Sequence, residues 1–354
     1  MNILITGAAG FIGYHLTERL LSEGHDLTGV DNLNDYYATE LKYGRLRSAG
    51  IDPDLVKRSA DGESVRSQRE DGMDWNFIRG ELSDREMVES LFSDSKFDMV
   101  VHLAAQAGVR YSLENPHAYI ESNVNAFLNI LEGCRHHPVE HLVYASSSSV
   151  YGENKEVPFR TDHAVDHPVS LYAATKKSNE LMAYTYAHLF GVPSTGLRFF
   201  TVYGSWGRPD MAYFKFADRI TSGKSIDVYN HGEMERDFTF VGDIVESVAR
   251  LVPKPPAGES GVPTQLFNIG HGSPVNLMDF IGELERQLGV KAKKRMMDMQ
   301  PGDVPRTWAD VEDLFDYIDY RPKVKLPEGI AEFLAWYSEY YGIELPSSRR
   351  SRSK

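Results

Sequence analysis

Apolar residues fall along this chain in two alternating rhythms. Short continuous runs containing β-branched residues, "NILIT", "FDMVVHLAA", "HLVYASSS" and "STGLRFFTVYG", are separated by stretches with helical spacing. The first such stretch, "FIGYHLTERLLSEG", carries Phe11, Ile12, His15, Leu16, Arg19 and Leu20 near that spacing, and Gly24 stands where a helix would end. With "DLTGVD" following, the first 31 residues read strand, tight turn, helix, strand. Helical "HAYIESNVNAFLNILEGCR" and "LYAATKKSNELMAYTYAHLFG" lie between the later strands. Continuous apolar strands alternating with helices predict a parallel sheet with both faces covered.

After Gly204 the rhythm changes. Loops lengthen, and strand-like "SIDVYN", "RDFTFV" and "LFNIG" are interrupted by "PKPPAGESGVP" before a helix around Leu277 to Leu288. The fold class that follows is α/β: a Rossmann-like doubly wound parallel sheet with a smaller mixed α/β substrate-binding lobe. Residues 1–204 are read mainly as the dinucleotide-binding domain and 205–345 mainly as the substrate lobe, with some chain crossing between them. The end, 346–354, reads as a basic flexible tail. Segment 50–76, with its "RSADGESVRSQREDG", breaks the pattern and is read as a mobile surface insertion.

Composition narrows the classes. The 354 residues are 42% hydrophobic, enough for a sizeable core, and 38 basic against 51 acidic residues give a formal charge of −13. The acids are dispersed, which argues against nucleic acid or an anionic membrane as partner. Cys134 is the only cysteine, so no intrachain disulfide or cysteine-rich zinc site is possible and no metal site is expected. The start is apolar but broken by glycines and has no basic leader, and no window offers about 18 uninterrupted apolar residues. A soluble, cytoplasmic protein is expected.

"GAAGFIG" supplies Gly7, Gly10 and Gly13 directly after the first strand and at the opening of a helix. Glycines there let the backbone approach a pyrophosphate, and the helix start presents free N–H groups. The spacing is G-x-x-G-x-x-G, a weak signal alone, but Asp31 ends the second strand, where a carboxylate suits the free 2′-hydroxyl of NAD and repels a 2′-phosphate. No arginine follows Asp31 in "NLND", so NAD is preferred over NADP.

In "LYAATKKSNE", Tyr172 and Lys176 stand four apart, on one face of a helix. A phenol titrates near 10, too high for a base at neutral pH, and an adjacent ammonium lowers that value. Tyr172 could then take a proton from a substrate hydroxyl. Such pairs also occur on many exposed helices. Lys177 lies at i+5 and points off the tyrosine's face.

Together these features resemble the extended short-chain dehydrogenase/reductase family, in its nucleotide-sugar epimerase and dehydratase branch. The ordered motifs "GAAGFIG", "HLAAQAGVRYS", "SSSSVYG", "YAATK", "RFFTVYG", "RDFTFVGDI" and "PGDVPRTWAD", with Asp31, span most of the chain. "DNLNDYY", "LAAQAGVRYSLENP", "SLYAATKKSNELMA" and "YGSWGRPDMA" are most similar to the UDP-glucuronate 4-epimerases of that branch. The usual proline after "VYG" is Ser205 here. The resemblance implies transient oxidation of a UDP-sugar at C4 by tightly held NAD, with Ser147 at the 4-oxygen, Tyr172 as base and acid, and Lys176 on the nicotinamide ribose. It implies that Gly7, Gly10, Phe11, Ile12, Gly13, Asp31, Asn32, Leu103, Ala104, Ala105 and Gln106 line the cofactor, with Glu81 and Leu82 where members usually carry Asp-Leu or Asp-Ile. Thr201, Arg208, Arg236 and Arg306 fall in motifs that hold the diphosphate or the sugar acid, oxyanions that the arginine fork matches. A homodimer paired through the helices at Ala118 to Arg135 and Tyr172 to Phe190 is implied as well.

The run "ASSSSVYG" separates the reactions of this branch. Dehydratases resemble T-D-E-V-Y-G and decarboxylases T-S-E-V-Y-G, whereas Ser147, Ser148 and Ser149 occupy those positions here. Without a carboxylate, acid/base work at C5 and C6 has no evident agent, and Ser148 and Ser149 can donate to a sugar carboxylate that a glutamate would repel. A UDP-glucose or UDP-N-acetylglucosamine 4-epimerase, a UDP-glucuronate decarboxylase and a non-enzymatic dinucleotide sensor stay open as alternatives. Ser146 has no evident role at this point.

Overall fold

Ile3, Leu4 and Ile5 have no exposure to solvent, and the pleat sends them to opposite faces. Ile3 and Ile5 join the core that includes Leu16, Leu20, Val248 and Phe267, while Leu4 joins Phe92, Phe127 and Leu142 on the other side. Burying a side chain of this size contributes roughly 1.5–3 kcal/mol, so a strand covered on both faces gains from every residue. The computed structural model describes residues 1–258, 261–300 and 302–345; the basic stretch 346–354 lies outside the described residues.

Seven strands of the large sheet are Asn2–Thr6 (β1), Asp26–Asp31 (β2), Ser64–Arg66 (β3), Asn76–Arg79 (β4), Met99–His102 (β5), His141–Ser147 (β6) and Ser194–Phe199 (β7). Strand Thr264–Ile269 returns from the second half of the chain to complete it. The spatial order is Thr264–Ile269, β7, β6, β5, β1, β2, β4, β3, and every pairing is parallel except β3 with β4. β1 is central, with Thr6 opposite both Val30 and His102. The strands β1, β5 and β6 therefore deliver their C-terminal ends side by side.

Three readings are corrected here. Segment 50–76 is not a bare surface insertion: it forms helix Pro53–Arg58 and the antiparallel edge strand β3, and Val56, Val65 and Trp75 are buried. Its polar pattern misleads because an edge element needs few anchors; Trp75 Nε1 donates to the Ala49 carbonyl at 2.8 Å and Arg69 pairs with Glu18 at 2.7 Å. "STGLRFFTVYG" is two strands, since after Phe200 the chain leaves the large sheet and Thr201–Tyr203 pairs in parallel with Phe238–Phe240. "HAYIESNVNAFLNILEGCR" is interrupted: helix Pro116–Tyr119 passes into a π-helical turn, Ile120–Asn125, before helix Ala126–His136. The wider turn carries Asn123 fully inside, which a regular α-helical reading has no reason to predict.

The second half of the chain packs aromatics. Phe238 and Phe280 lie 4.3 Å apart between ring centres, with Tyr203 edge-on to both. Helix Val241–Leu251 rests on helix Phe11–Leu21, tied by Arg19 to Glu246 at 2.9 Å, so the two halves share one core.

Candidate active site

At the end of β1, Gly7 takes φ +72° and its N–H donates to the Val30 carbonyl at 2.7 Å. A Cβ on Gly7 would stand 2.8 Å from the Ala104 nitrogen, and one on Gly13 would stand 2.1 Å from the Gly7 carbonyl oxygen. The turn therefore closes only with glycine at both positions. Helix Phe11–Leu21 starts at Gly10 with no side-chain cap, which leaves its first N–H groups facing the cavity for an anion.

Asp31 ends β2 beside this turn. Its oxygens accept from Leu33 N at 2.8 Å and Ala9 N at 3.2 Å, which fixes the carboxylate at the cavity wall. Asn32 donates to Glu81 Oε2 at 2.8 Å, and that pair, with Leu82, lines the cavity next to Asp31. Leu103, Ala104, Ala105 and Gln106 make the opposite wall. Lys42, almost fully buried, stands 3.7 Å from Asp31 and donates to Asn34 at 2.9 Å. Sequence reasoning missed Lys42, because no motif links it to Asp31 and helix Thr39–Ser48 shows no clear apolar stripe. The glycine cradle, the free helix start and the acid at the ribose position all fit NAD.

The cavity of about 270 Å³ runs from this cradle to Ser147, Tyr172, Lys176 and Arg208, with Phe11, Ile12 and Phe200 along it. Helix Leu171–Phe190 opens on Ser170, whose hydroxyl accepts from Ala173 N at 3.1 Å, and one turn separates Tyr172 from Lys176. β6 ends at Ser147, and Ala145, Ser146 and Ser147 all line the cavity, with the Ser146 hydroxyl engaged by Glu180. The Ser147 hydroxyl accepts from Ser149 N at 3.2 Å, starting the 3₁₀ turn Ser148–Tyr151, and it lines the cavity together with the Tyr172 phenol. Enclosure raises the Tyr172 pKa, while the Ser147 hydroxyl and the charge of Arg208 act against the rise. Lys176 donates to the Ala145 carbonyl at 2.7 Å, and burial lowers it to about 8. Lys177 points elsewhere, to Glu180 at 3.3 Å.

On the far side, Arg208 pairs with Asp210 and reaches the same cavity. Thr201 sits between Phe200 and Val202, which line it, and Ser148 and Ser149 are half-buried next to Ser147. Arg236 and Arg306 stand outside this lining: Arg236 binds Asp303 at 2.8 Å, and Arg306 pairs with Glu235 at 2.6 Å and covers the Trp308 ring. Burial lowers the Arg236 pKa.

Four further residues support the site, and sequence patterns offer little sign of them. Asn123 accepts from Gln106 N at 2.8 Å and donates to the Gln106 carbonyl and to Thr175, joining the cofactor wall to the helix of Tyr172. Tyr119 meets the Tyr172 ring edge-on at 6.0 Å. Tyr36 and Asp210 meet across the cavity mouth. Among the described residues no group of three or more histidine, cysteine, aspartate or glutamate side chains could hold a metal ion, and no helix is long and apolar enough to cross a membrane.

The model of the NAD dependent epimerase/dehydratase family matches residues 3–270. Protein CapI of Staphylococcus aureus is 51% identical over 96% of this chain and 99% of its own. A probable UDP-glucuronate 4-epimerase of Rhizobium meliloti is 43% identical over 96% and 98%. Among solved structures, UDP-glucuronic acid 4-epimerase from Bacillus cereus, in complex with UDP-glucuronic acid and NAD, superposes with a TM-score of 0.83 at 30% identity, over 96% of this chain and all of that one.

Proposed function

This chain belongs to the NAD dependent epimerase/dehydratase family, and from that premise we propose that it epimerises UDP-glucuronate reversibly at C4 to UDP-galacturonate, through a 4-keto intermediate. The observation that carries the reading is the meeting of Ser147, Tyr172 and Lys176 in one cavity whose adjoining positions, Ser148 and Ser149, hold hydroxyls and no carboxylate. When bound along Gly7, Gly10 and Asp31, NAD would supply the reversible hydride acceptor for C4.

Tyr172 removes the proton of the C4 hydroxyl and later returns it, and Ser147 hydrogen-bonds the same oxygen. Arg208 supplies the positive potential that favours the phenolate, and Lys176, on the same helix face as Tyr172, holds its proton below about pH 8. Asp31 receives the ribose hydroxyls of the cofactor. Arg236 and Arg306 face the diphosphate, in exchange for their present partners Asp303 and Glu235.

Oxidation at C4 makes a β-keto acid, which loses CO₂ when the C5–C6 bond lies parallel to the carbonyl π system. Ser148, Ser149, Thr201 and Arg208 hold the carboxylate out of that alignment. Resolving the products formed from UDP-glucuronate tests the reading: UDP-galacturonate is expected, and UDP-xylose would replace epimerisation by decarboxylation.

A second copy of the chain completes the assembly in this reading. Leu181 and Leu189 are 59% and 62% exposed, and Tyr184, Phe190, Ile120 and Leu128 are exposed with them on the two adjacent helices. Pairing these faces covers the patch as a homodimer. The lone buried Cys134 suits a reducing cytoplasm.

A further inference from the structure

Arg208 does not stand alone at the cavity. Asp210 accepts from its Nε at 2.9 Å and from its Nη2 at 2.6 Å, so one whole edge of the guanidinium is taken. Tyr36, from the loop after β2, donates to the same Asp210 Oδ2 at 3.3 Å. The two charged side chains are only 22% and 25% exposed, and the bonds to Nε and Nη2 leave Nη1 to meet a ligand.

A carboxylate held this closely makes Arg208 part of a nearly neutral pair before any substrate arrives. A site built only to grip an acidic sugar would gain from leaving the cation uncompensated. Epimerisation asks for a compromise: the sugar carboxylate is held while C4 reacts and released while the 4-keto sugar turns over. A grip equally strong throughout would deepen the bound state and slow that turn.

We propose that Asp210 is a positioning residue that presents Nη1 of Arg208 to the sugar carboxylate and, by sharing the guanidinium's charge, keeps the grip weak enough for the intermediate to rotate. Tyr36 adjusts the grip by competing with Arg208 for Oδ2. The inference rests on the proposed reaction with UDP-glucuronate.

Calorimetric titration of the NAD-loaded protein with UDP-glucuronate and with UDP-glucose tests it. Asp210→Asn keeps the shape and removes the charge; it is expected to bind UDP-glucuronate about tenfold tighter while leaving UDP-glucose nearly unchanged. In the same variant, kcat on UDP-glucuronate falls and the absorbance of reduced cofactor at steady state rises. Asp210→Glu, which keeps the charge, restores the wild-type ratio of the two affinities. Equal weakening of both ligands in Asp210→Asn, or an unmoved ratio, overturns the proposal. Should that variant fail to fold, Tyr36→Phe decides: freed from the competing donor, Asp210 holds Arg208 harder and the acid-to-neutral ratio falls, whereas an unchanged or raised ratio overturns the proposal. If the wild-type protein neither binds nor converts UDP-glucuronate, the functional reading fails and this inference with it. If it does both and the variants leave the ratio in place, only this inference fails.

Discussion

The Ser146 hydroxyl donates to Glu180 Oε1 at 2.7 Å, joining the strand that ends in Ser147 to the helix that carries Tyr172 and Lys176. Arg198, from β7, grips both oxygens of Glu180 at 2.8 and 2.9 Å, and neither charged side chain is more than 2% exposed. The Ser146 hydroxyl, given to Glu180, thus sets the register of the elements that build the cavity. Glu180→Gln leaves Arg198 uncompensated and is expected to cost about 3–5 kcal/mol in denaturant unfolding, and Ser146→Ala about 1–2 kcal/mol. Ser146→Ala without measurable loss would show that the bond is incidental.

In the proposed reaction Tyr172 acts in its deprotonated form, so activity is expected to rise with pH through its pKa. Ser147→Ala and Arg208→Met each remove a group that favours the phenolate. Each is expected to move the rising limb of kcat/KM to higher pH by about one unit. Tyr172→Phe lowers kcat by roughly 10²–10⁴-fold with NAD retained. Profiles with unmoved limbs would remove Ser147 and Arg208 from the tuning of Tyr172.

Three histidines are held neutral, His102 and His141 buried and His15 half-buried. Burial lowers His15 to about 4, His102 to about 3 and His141 to about 4; His102 bonds Thr6, and His141 bonds Val252 O and Thr195. The unfolded chain takes up their protons below about 6.5, so the stability they allow is complete above that pH and is lost as pH falls toward 4. Three protons correspond to a slope that steepens as pH falls and reaches roughly 4 kcal/mol per pH unit near pH 5. Urea unfolding at several pH values between 7 and 5 measures it, and His141→Gln is expected to flatten the slope by about a third.

Ser149→Glu places a carboxylate next to the sugar acid. It is expected to raise KM for UDP-glucuronate about tenfold through like-charge repulsion and to release CO₂ from part of the oxidised sugar. CO₂-free epimerisation at the wild-type rate would count against a role for position 149 in holding the carboxylate.

The sheet was legible because β1, β5, β6 and β7 are covered on both faces and so read as unbroken apolar runs. Gly7, Gly13, Asp31, Tyr172 and Lys176 were legible because their chemistry is local: a turn, a strand end and one helix turn. What stayed hidden depends on long-range partners. Asn123 owes its place to a π-helical turn, Ser146 to Glu180 and Arg198, and Asp210 to Tyr36, contacts that span 34 to 174 residues for the last two. The edge strand β3 was hidden for another reason, since three anchoring side chains in a charged segment leave no period to read.

Incubation of the purified protein with UDP-glucuronate in D₂O, with no cofactor added, tests the central claim most directly. The account predicts UDP-galacturonate with no solvent deuterium at C4 or C5, because the hydrogen at C4 is returned internally and no residue serves C5. UDP-xylose, a 4-keto pentose, or deuterium at C5 of the product would contradict it.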